Sequence, residues 1–525
     1  WSDITGETGY TIWRHTADVS GSASIVGTAA VNAVTYDDTT ASADQDYYYW
    51  VRGTNSTSAS MGDFSSSDYG YRILAEPSTA ASAITFSALA PDAYTVGWTR
   101  GNGSYVLVVA KQGSAPSDPS DSTVYAANAA FGSGDQTVAG SYVVYKGTST
   151  SVPVTGLSPE TEYYFAVYEF NGDTTPNYRT SDEPVSNRYT LAAEPATQAS
   201  GISISSPAGL SMSGFTWTDG NGASRILVAK AGSAVDSFPV DGTSYSYSTN
   251  FGSGTQIGTG NYVVWIGAGQ PARISSLNYD VVYHFRLFEF NGSATTVNYN
   301  TNSAAGNPLS QTTMAVTPES NPTDLAVSAI GSNAFTVTWT KGTIGTNTLI
   351  VIRAGGNPVD PTDMTSYTAD PVFGSGSNLG SSSYVVYNGT GSSVTVTNLT
   401  PGTAYTIEAS SFNGSSGSEN YRGTPTSTST STLMPEPTTQ ATGITFGTLG
   451  ETSYAVSYTA GNGLSRLVVA KQGGAVDWTP TDGTAYSGEN NNIGLAQEYG
   501  TGNFLVHRGA SPFTLSGLAA QTEYH

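Results

Sequence analysis

An internal repeat of about 120 residues constrains this chain more than any other feature, because a unit repeated in tandem folds as a unit. Its first block carries an aromatic residue near its end: Trp98 in "AYTVGWT", Trp217 in "SGFTWT", Trp339 in "AFTVTWT" and Tyr458 in "SYAVSYT". A second block, "VLVVAK", "ILVAK", "LIVIR" and "LVVAK", closes on Lys111, Lys230, Arg353 and Lys471. "FGSG" follows at Phe131, Phe251 and Phe373, and is reduced to Ile493-Gly494 in the last copy. Then come "YVVY", "YVVW", "YVVY" and "FLVH", opening on Tyr142, Tyr262, Tyr384 and Phe504. The fifth block, "LSPETEY", "LNYDVVY", "LTPGTAY" and "LAAQTEY", ends on Tyr163, Tyr283, Tyr405 and Tyr524.

The blocks have strand length and strand composition: β-branched and aromatic residues, often alternating, bounded by Gly, Asn, Asp or Pro. No amphipathic helical stretch interrupts them, so the fold class is all-β. Asn102-Gly103, Asn221-Gly222 and Asn462-Gly463 follow the Trp block and read as tight turns using the positive φ that Asn-Gly tolerates. Glu76-Pro77, Glu194-Pro195, Thr317-Pro318 and Glu436-Pro437 mark short linkers. Proline fixes φ, so the modules are expected to form an extended rod.

Composition excludes several functions. Lys+Arg 18 against Asp+Glu 40 gives a net charge of -22, which repels phosphate backbones and argues against nucleic acid as a partner. With no cysteine there are no disulfides and no thiolate metal sites. No apolar run approaches the roughly 18 residues of a membrane helix, so no membrane span is expected in this segment. The hydrophobic fraction of 38% is dispersed in short runs, which suits thin sandwiches better than one large core.

A Trp on an early strand followed by a Leu-x-Pro-x-Thr-x-Tyr corner resembles the fibronectin type III module. The resemblance implies tandem immunoglobulin-like β-sandwiches in which Trp98, Trp217, Trp339 and Tyr458 fill the core. It also implies that Tyr47, Tyr163, Tyr283, Tyr405 and Tyr524 form tyrosine corners, each hydroxyl bonded back to nearby backbone. Residues 1–74 match a module of ordinary length. Residues 75–193, 194–315, 316–434 and 435–525 are longer, with an insert between the basic block and "YVVY". Trp1 aligns with Trp98 and Tyr524 with Tyr163, so the first module is expected to lack its opening strand and the last its final strands, as in a window on a longer chain. Long modules of this kind resemble those of bacterial secreted and cell-surface proteins exported by the type IX route, implying an extracellular or surface location.

The candidate chemistry is sparse. His15, His284, His507 and His525 share no repeat position. No nucleophile elbow, phosphate-binding loop or calcium loop occurs, so neither a catalytic residue, a metal site nor a cofactor is expected. Asp121, Asp241, Asp363 and Asp482 recur in the insert and read as Asx-type turns rather than metal ligands. Lys111 with Glu169, and Lys230 with Glu289, are expected to form cross-strand ion pairs. Tyr125, Tyr245, Tyr367 and Tyr486, with the "YVVY" and "YVVW" aromatics, either cover the insert or line a sugar-stacking face. Asp38-Thr39-Thr40, Asp121-Ser122-Thr123 and Asp173-Thr174-Thr175 resemble a short bacterial O-glycosylation motif, whereas sequons such as Asn55-Ser56-Thr57 arise from composition. Three functions remain: a stalk, adhesin or filament; accessory modules of a secreted hydrolase whose catalytic domain lies outside this segment; or glycan-binding modules, whose faces bind a glycan or protein directly. The partners left open are other copies of the chain, surface glycans or proteins.

Overall fold

The computed structural model describes residues 1–56 and 60–525; Thr57 of the first sequon lies outside the described residues. The described chain divides into two compact units, one of Trp1–Ser206, Ser213–Ser276 and Tyr283–Gln311, the other of Pro207–Met212, Leu277–Val282 and Thr312–His525. Each is built from antiparallel sheets, and among the described residues helices are confined to three short 3-10 turns.

The second sandwich, in the first unit, shows how the sequence sets the architecture. One sheet orders Ser151–Val154, Tyr94–Thr99 and Ser82–Ser87. The other orders Asn177–Tyr178, Glu162–Asn171, Tyr105–Gln112, Ser141–Gly147 and Gln136–Val138, with Val185–Tyr189 paired to Glu162–Asn171. Tyr94–Thr99 alternates: Tyr94, Val96 and Trp98 point inward and are buried, while Thr99 is exposed. Such alternation is what a sheet with one wet face requires.

Tyr105–Gln112 does not alternate. Val106, Leu107, Val108, Val109 and Ala110 are all fully buried. Successive side chains point to opposite faces, so this sheet must be covered on both. Val106, Val108 and Ala110 pack with Tyr94, Val96, Trp98 and Phe165 between the two sheets. Leu107 and Val109 pack on the other side with Tyr125, Val143, Tyr168, Phe170 and Tyr178. Tyr125 belongs to the insert, which therefore forms a third layer.

The third sandwich repeats the arrangement. Asn261–Gly267, Ser224–Ala231, Val282–Asn291 and Asn298–Tyr299 are neighbours in a five-stranded sheet. On its outer face Ile226, Val228, Val263 and Phe288 pack with Val235 and Ile257 of the insert. The first sandwich carries no long insert; among the described residues it has one five-stranded sheet ordering Ser24–Ala30, Gly9–His15, Asp46–Asn55 and Ser60–Met61, with Asp68–Tyr71 paired to Asp46–Asn55.

In the second unit, the fourth sandwich has an inner cluster around Phe335, Val337, Trp339, Ile350 and Ile407. Its outer cluster holds Leu349, Val351, Val385, Phe412 and Tyr421, with the insert's Tyr367 against it. The fifth has a three-stranded sheet of Thr442–Leu449, Ser453–Thr459 and Phe513–Ser516 and a two-stranded sheet of Leu467–Lys471 and Asn503–Arg508.

Candidate functional site

The insert sets the long modules apart from the first one, and it is fastened in the same way each time. Tyr125 Oη accepts from Ser120 N at 3.1 Å, Tyr245 from Val240 N at 2.9 Å, Tyr367 from Thr362 N at 3.0 Å and Tyr486 from Thr481 N at 2.8 Å. These form a second series of tyrosine corners beside those foreseen. The foreseen series has the same five-residue reach: Tyr163 Oη accepts from Ser158 N at 3.0 Å, Tyr405 from Thr400 N at 2.8 Å and Tyr524 from Ala519 N at 2.9 Å. Ser42 N donates to Tyr47 Oη at 3.4 Å, and Tyr283 is fully buried. Trp98, Trp217 and Trp339 are buried, while Tyr458 is partly buried and donates its hydroxyl to Gly509 O at 2.5 Å.

Three of the recurrent insert aspartates reach a distant strand instead of making the local turns expected of them. Asp121, Asp241 and Asp363 accept from Tyr178 N, Tyr299 N and Tyr421 N, each at 2.8 Å. Those tyrosines in turn donate to Thr123 O at 2.9 Å, Thr243 O at 3.0 Å and Thr365 O at 2.9 Å. The carboxylate thus ties the insert to a distant short strand. This reciprocal bond is invisible in the insert alone, because its partner stands more than fifty residues later. The residue after each aspartate takes a left-handed conformation: Ser122 φ 59°, Gly242 φ 70°, Met364 φ 60° and Gly483 φ 76°. Only glycine adopts it without strain, which accounts for two glycines at this place.

The "FGSG" phenylalanines lie against the corner tyrosines: the Phe131 ring is 4.9 Å from Tyr163, Phe251 is 5.0 Å from Tyr283 and Phe373 is 5.3 Å from Tyr405. The "YVVY" aromatics do not make a flat outward face. Tyr145, Trp265 and Tyr387 pack on Trp98, Trp217 and Trp339 at 5.5, 5.7 and 5.0 Å, and Trp265 is buried.

The expected Lys–Glu pairs are corrected by register. The strands are neighbours in one sheet, as anticipated, but Lys111 lies opposite Tyr164 while Glu169 lies opposite Val106. Likewise Lys230 lies opposite His284, and its ammonium pairs instead with Asp236 at 2.6 Å. Glu169 and Glu289 are buried, and each closes a four-centred or three-centred site. Glu169 takes Arg100 Nε at 2.8 Å, Arg100 Nη2 at 3.0 Å, Gly101 N at 2.7 Å and Gly103 N at 3.1 Å. Glu289 takes Arg225 Nε at 2.7 Å, Gly220 N at 2.8 Å and Gly222 N at 3.0 Å. The bond to Glu169 holds the Arg100 guanidinium above its ordinary pKa.

This site also corrects the reading of the Asn-Gly turns. Neither Gly103 nor Gly222 has a positive φ. Glycine is required by the approach of the carboxylate, since a Cβ would meet Glu169 Oε2 at 2.8 Å or Glu289 Oε2 at 2.6 Å. In the fourth sandwich Ser411 replaces the glutamate, opposite Thr348, and Lys341 opens the turn, so glutamate and arginine are lost together.

The first sandwich has a cavity of about 1010 Å³ lined by Trp1, Ile12, Tyr36, Asp38, Tyr47 and Tyr49 among others. Its polar group is a closed network: Arg14 Nη1 is 2.6 Å from Asp38, and Tyr49 Oη donates to Asp38 at 2.9 Å. Burial draws the Asp38 carboxyl upward, but bonds from Thr40, Tyr49 and Arg14 outweigh it and hold the group below the usual carboxylate range. Burial, then the bond to Asp38, pushes the Tyr49 phenol up to about 12. An ionised carboxylate with its lone pairs taken up is poorly suited to proton transfer near neutral pH. Among the described residues, no group of three or more His, Asp or Glu is placed to hold a metal ion, and no helix is long and apolar enough to cross a membrane. Of the motifs resembling O-glycosylation sites, Asp38 binds Thr40, Asp121 binds Tyr178 N and Asp173 pairs with Lys146 at 2.6 Å.

The class these sheets define is all-β, a tandem array of antiparallel β-sandwiches. Residues 320–428, in the fourth sandwich, match the fibronectin type III domain family. No curated protein matches the chain. Solved structures similar to it include the FN1–FN3 domains of chicken CNTN1, at 17% identity, covering 68% of this chain and 99% of that one with a TM-score of 0.25. A two-domain fibronectin type III segment of chicken tenascin, at 14% identity, covers 45% of this chain and 99% of its own with a TM-score of 0.20. Domains A168–A170 of titin, at 12% identity, cover 68% and 99% with a TM-score of 0.23.

Proposed function

We propose that this chain is a non-catalytic repeat region of a large extracellular protein, a stalk, adhesin or filament in which the sandwiches act as spacers. The observation that carries this reading is the internal engagement of the recurring polar residues. Glu169 and Glu289 bind turn amides, and Asp121, Asp241 and Asp363 bind strand amides, in equivalent positions of successive copies. A buried carboxylate whose oxygens are all engaged by amides and a guanidinium has no free oxygen left for a ligand, which is how groups used for architecture are placed. The modules span residues 1–74, 75–193, 194–315, 316–434 and 435–525. The resemblance to type IX cargo supports a bacterial surface location, with other copies of the chain, surface glycans or proteins as partners.

Negative-stain electron microscopy of the purified chain tests the spacer role. An elongated particle of uniform length is expected, one sandwich wide. Compact globular particles would remove the basis for a stalk. A catalytic domain encoded beside this region would instead favour accessory modules of a hydrolase.

A further inference from the structure

We propose that the linkers before the second, third and fourth sandwiches are locked by asparagine and arginine side chains of the sandwich that follows, so that neighbouring sandwiches in the first unit move as one body. The inference does not depend on the stalk reading, since a scaffold with loose joints would still be a scaffold.

The motif is read at two strand ends, "FNG" and "NY". In the second sandwich Asn177 Nδ2 donates to Leu74 O at 2.9 Å and Asn171 Nδ2 to Ala75 O at 2.7 Å. Arg179 Nη1 donates to Pro77 O at 3.1 Å. In the third, Asn298 donates to Ala192 O at 2.8 Å, Asn291 to Ala193 O at 2.7 Å and Asn300 to Pro195 O at 2.7 Å. Within the second unit the same positions recur: Asn420 to Ala315 O at 2.8 Å, Asn413 to Val316 O at 2.7 Å and Arg422 to Pro318 O at 3.4 Å. Three copies with two constant asparagines, and a third donor that is arginine or asparagine, on carbonyls at equivalent positions mark a built feature.

At the junction around Ala192 no residue is left to act as a hinge. Leu191 belongs to the second sandwich, its N–H donating to Ala90 O at 3.3 Å and its carbonyl accepting from Glu160 N at 3.1 Å. The next residue belongs to the third: Ala192 N donates to Thr296 O at 2.7 Å. Leu191 and Ala192 are each 1% exposed, and Asn298 is 4% exposed. A buried amide that loses its carbonyl is costly, so these bonds resist opening. Hinges require residues free to change φ and ψ, and here both sides of the junction are held. Proline restricts only its own φ; the asparagines fix two carbonyls ahead of Pro195 and its own.

The chain has no cysteine, so two introduced cysteines can be spin-labelled alone. Val185→Cys and Thr216→Cys, on exposed strand positions of the second and third sandwiches, report their separation by double electron–electron resonance in the full chain. A single narrow distance distribution is expected. In the triple variant Asn291→Ala, Asn298→Ala, Asn300→Ala its width roughly doubles or more, as flexible linkers allow. Should the triple variant fail to fold, Asn298→Asp keeps the side chain's size but sets an acceptor against Ala192 O, and the same broadening is expected. A broad distribution in the parent, or a folded variant as narrow as the parent, overturns the proposal.

Discussion

Replacing Arg225 with methionine is expected to destabilise the third sandwich by about 3–5 kcal/mol, because it strands a buried carboxylate. Arg225 is 5% exposed and Glu289 is fully buried. Without the guanidinium, Glu289 keeps only the amides of Gly220 and Gly222. Restoring neutrality with a second, apolar replacement of Glu289 does not rescue the fold, since those two amides then lose their acceptor at about 1–3 kcal/mol each. Hydrogen exchange of peptides from Ser224–Ala231 reads this sandwich apart from the others. Their exchange is expected to accelerate by about two to four powers of ten. Lys230→Met on the same strand is the control. Its partner Asp236 is exposed, so exchange there changes little. Equal effects from the two substitutions would mean that burial of Glu289 is not what matters.

Phe288→Ala carries the second large effect, about 3–5 kcal/mol. Phe288 lies on the outer face of its sheet, which in a plain two-layer sandwich would be wet. Here it is fully buried with Val235 and Ile257 of the insert. Phe285, on the inner face 5.4 Å from Phe215, is equally buried. Truncating either is expected to lower the stability of the third sandwich to a similar extent. A loss below about 1 kcal/mol at Phe288, with a large loss at Phe285, would mean the insert is a loose loop.

Much of this architecture was readable in the sequence, and the gaps have physical causes. The strands, the Trp positions and the corner blocks are local patterns of apolar period and turn chemistry, so they stand out in a single copy. The third layer had a local signal too: "VLVVA" is a continuous apolar run, which a sheet with one wet face does not produce. The Glu–Arg site had no such signal. Its arginine comes from the turn at Arg100 in one copy and from the strand at Arg225 in the next, six positions apart once the repeats are aligned. Lysines at a constant repeat position therefore drew attention away from arginines that move. The asparagine clamps were hidden for the same reason as the insert aspartates: each partner lies about a hundred or about sixty residues away, and register and folding alone bring them together.

Hydrogen exchange of the insert tests most directly that it is an integral layer of the second, third and fourth sandwiches. Asn128, Phe131 and Asp135 donate their amides to Val143 O at 3.1 Å, Thr155 O at 2.8 Å and Ala126 O at 2.9 Å. If the insert is a layer, those amides open only when the sandwich unfolds, so they are expected to exchange as slowly as the buried strand Tyr105–Gln112. Exchange of the insert at the rate of unstructured chain, while Tyr105–Gln112 stays protected, would contradict it.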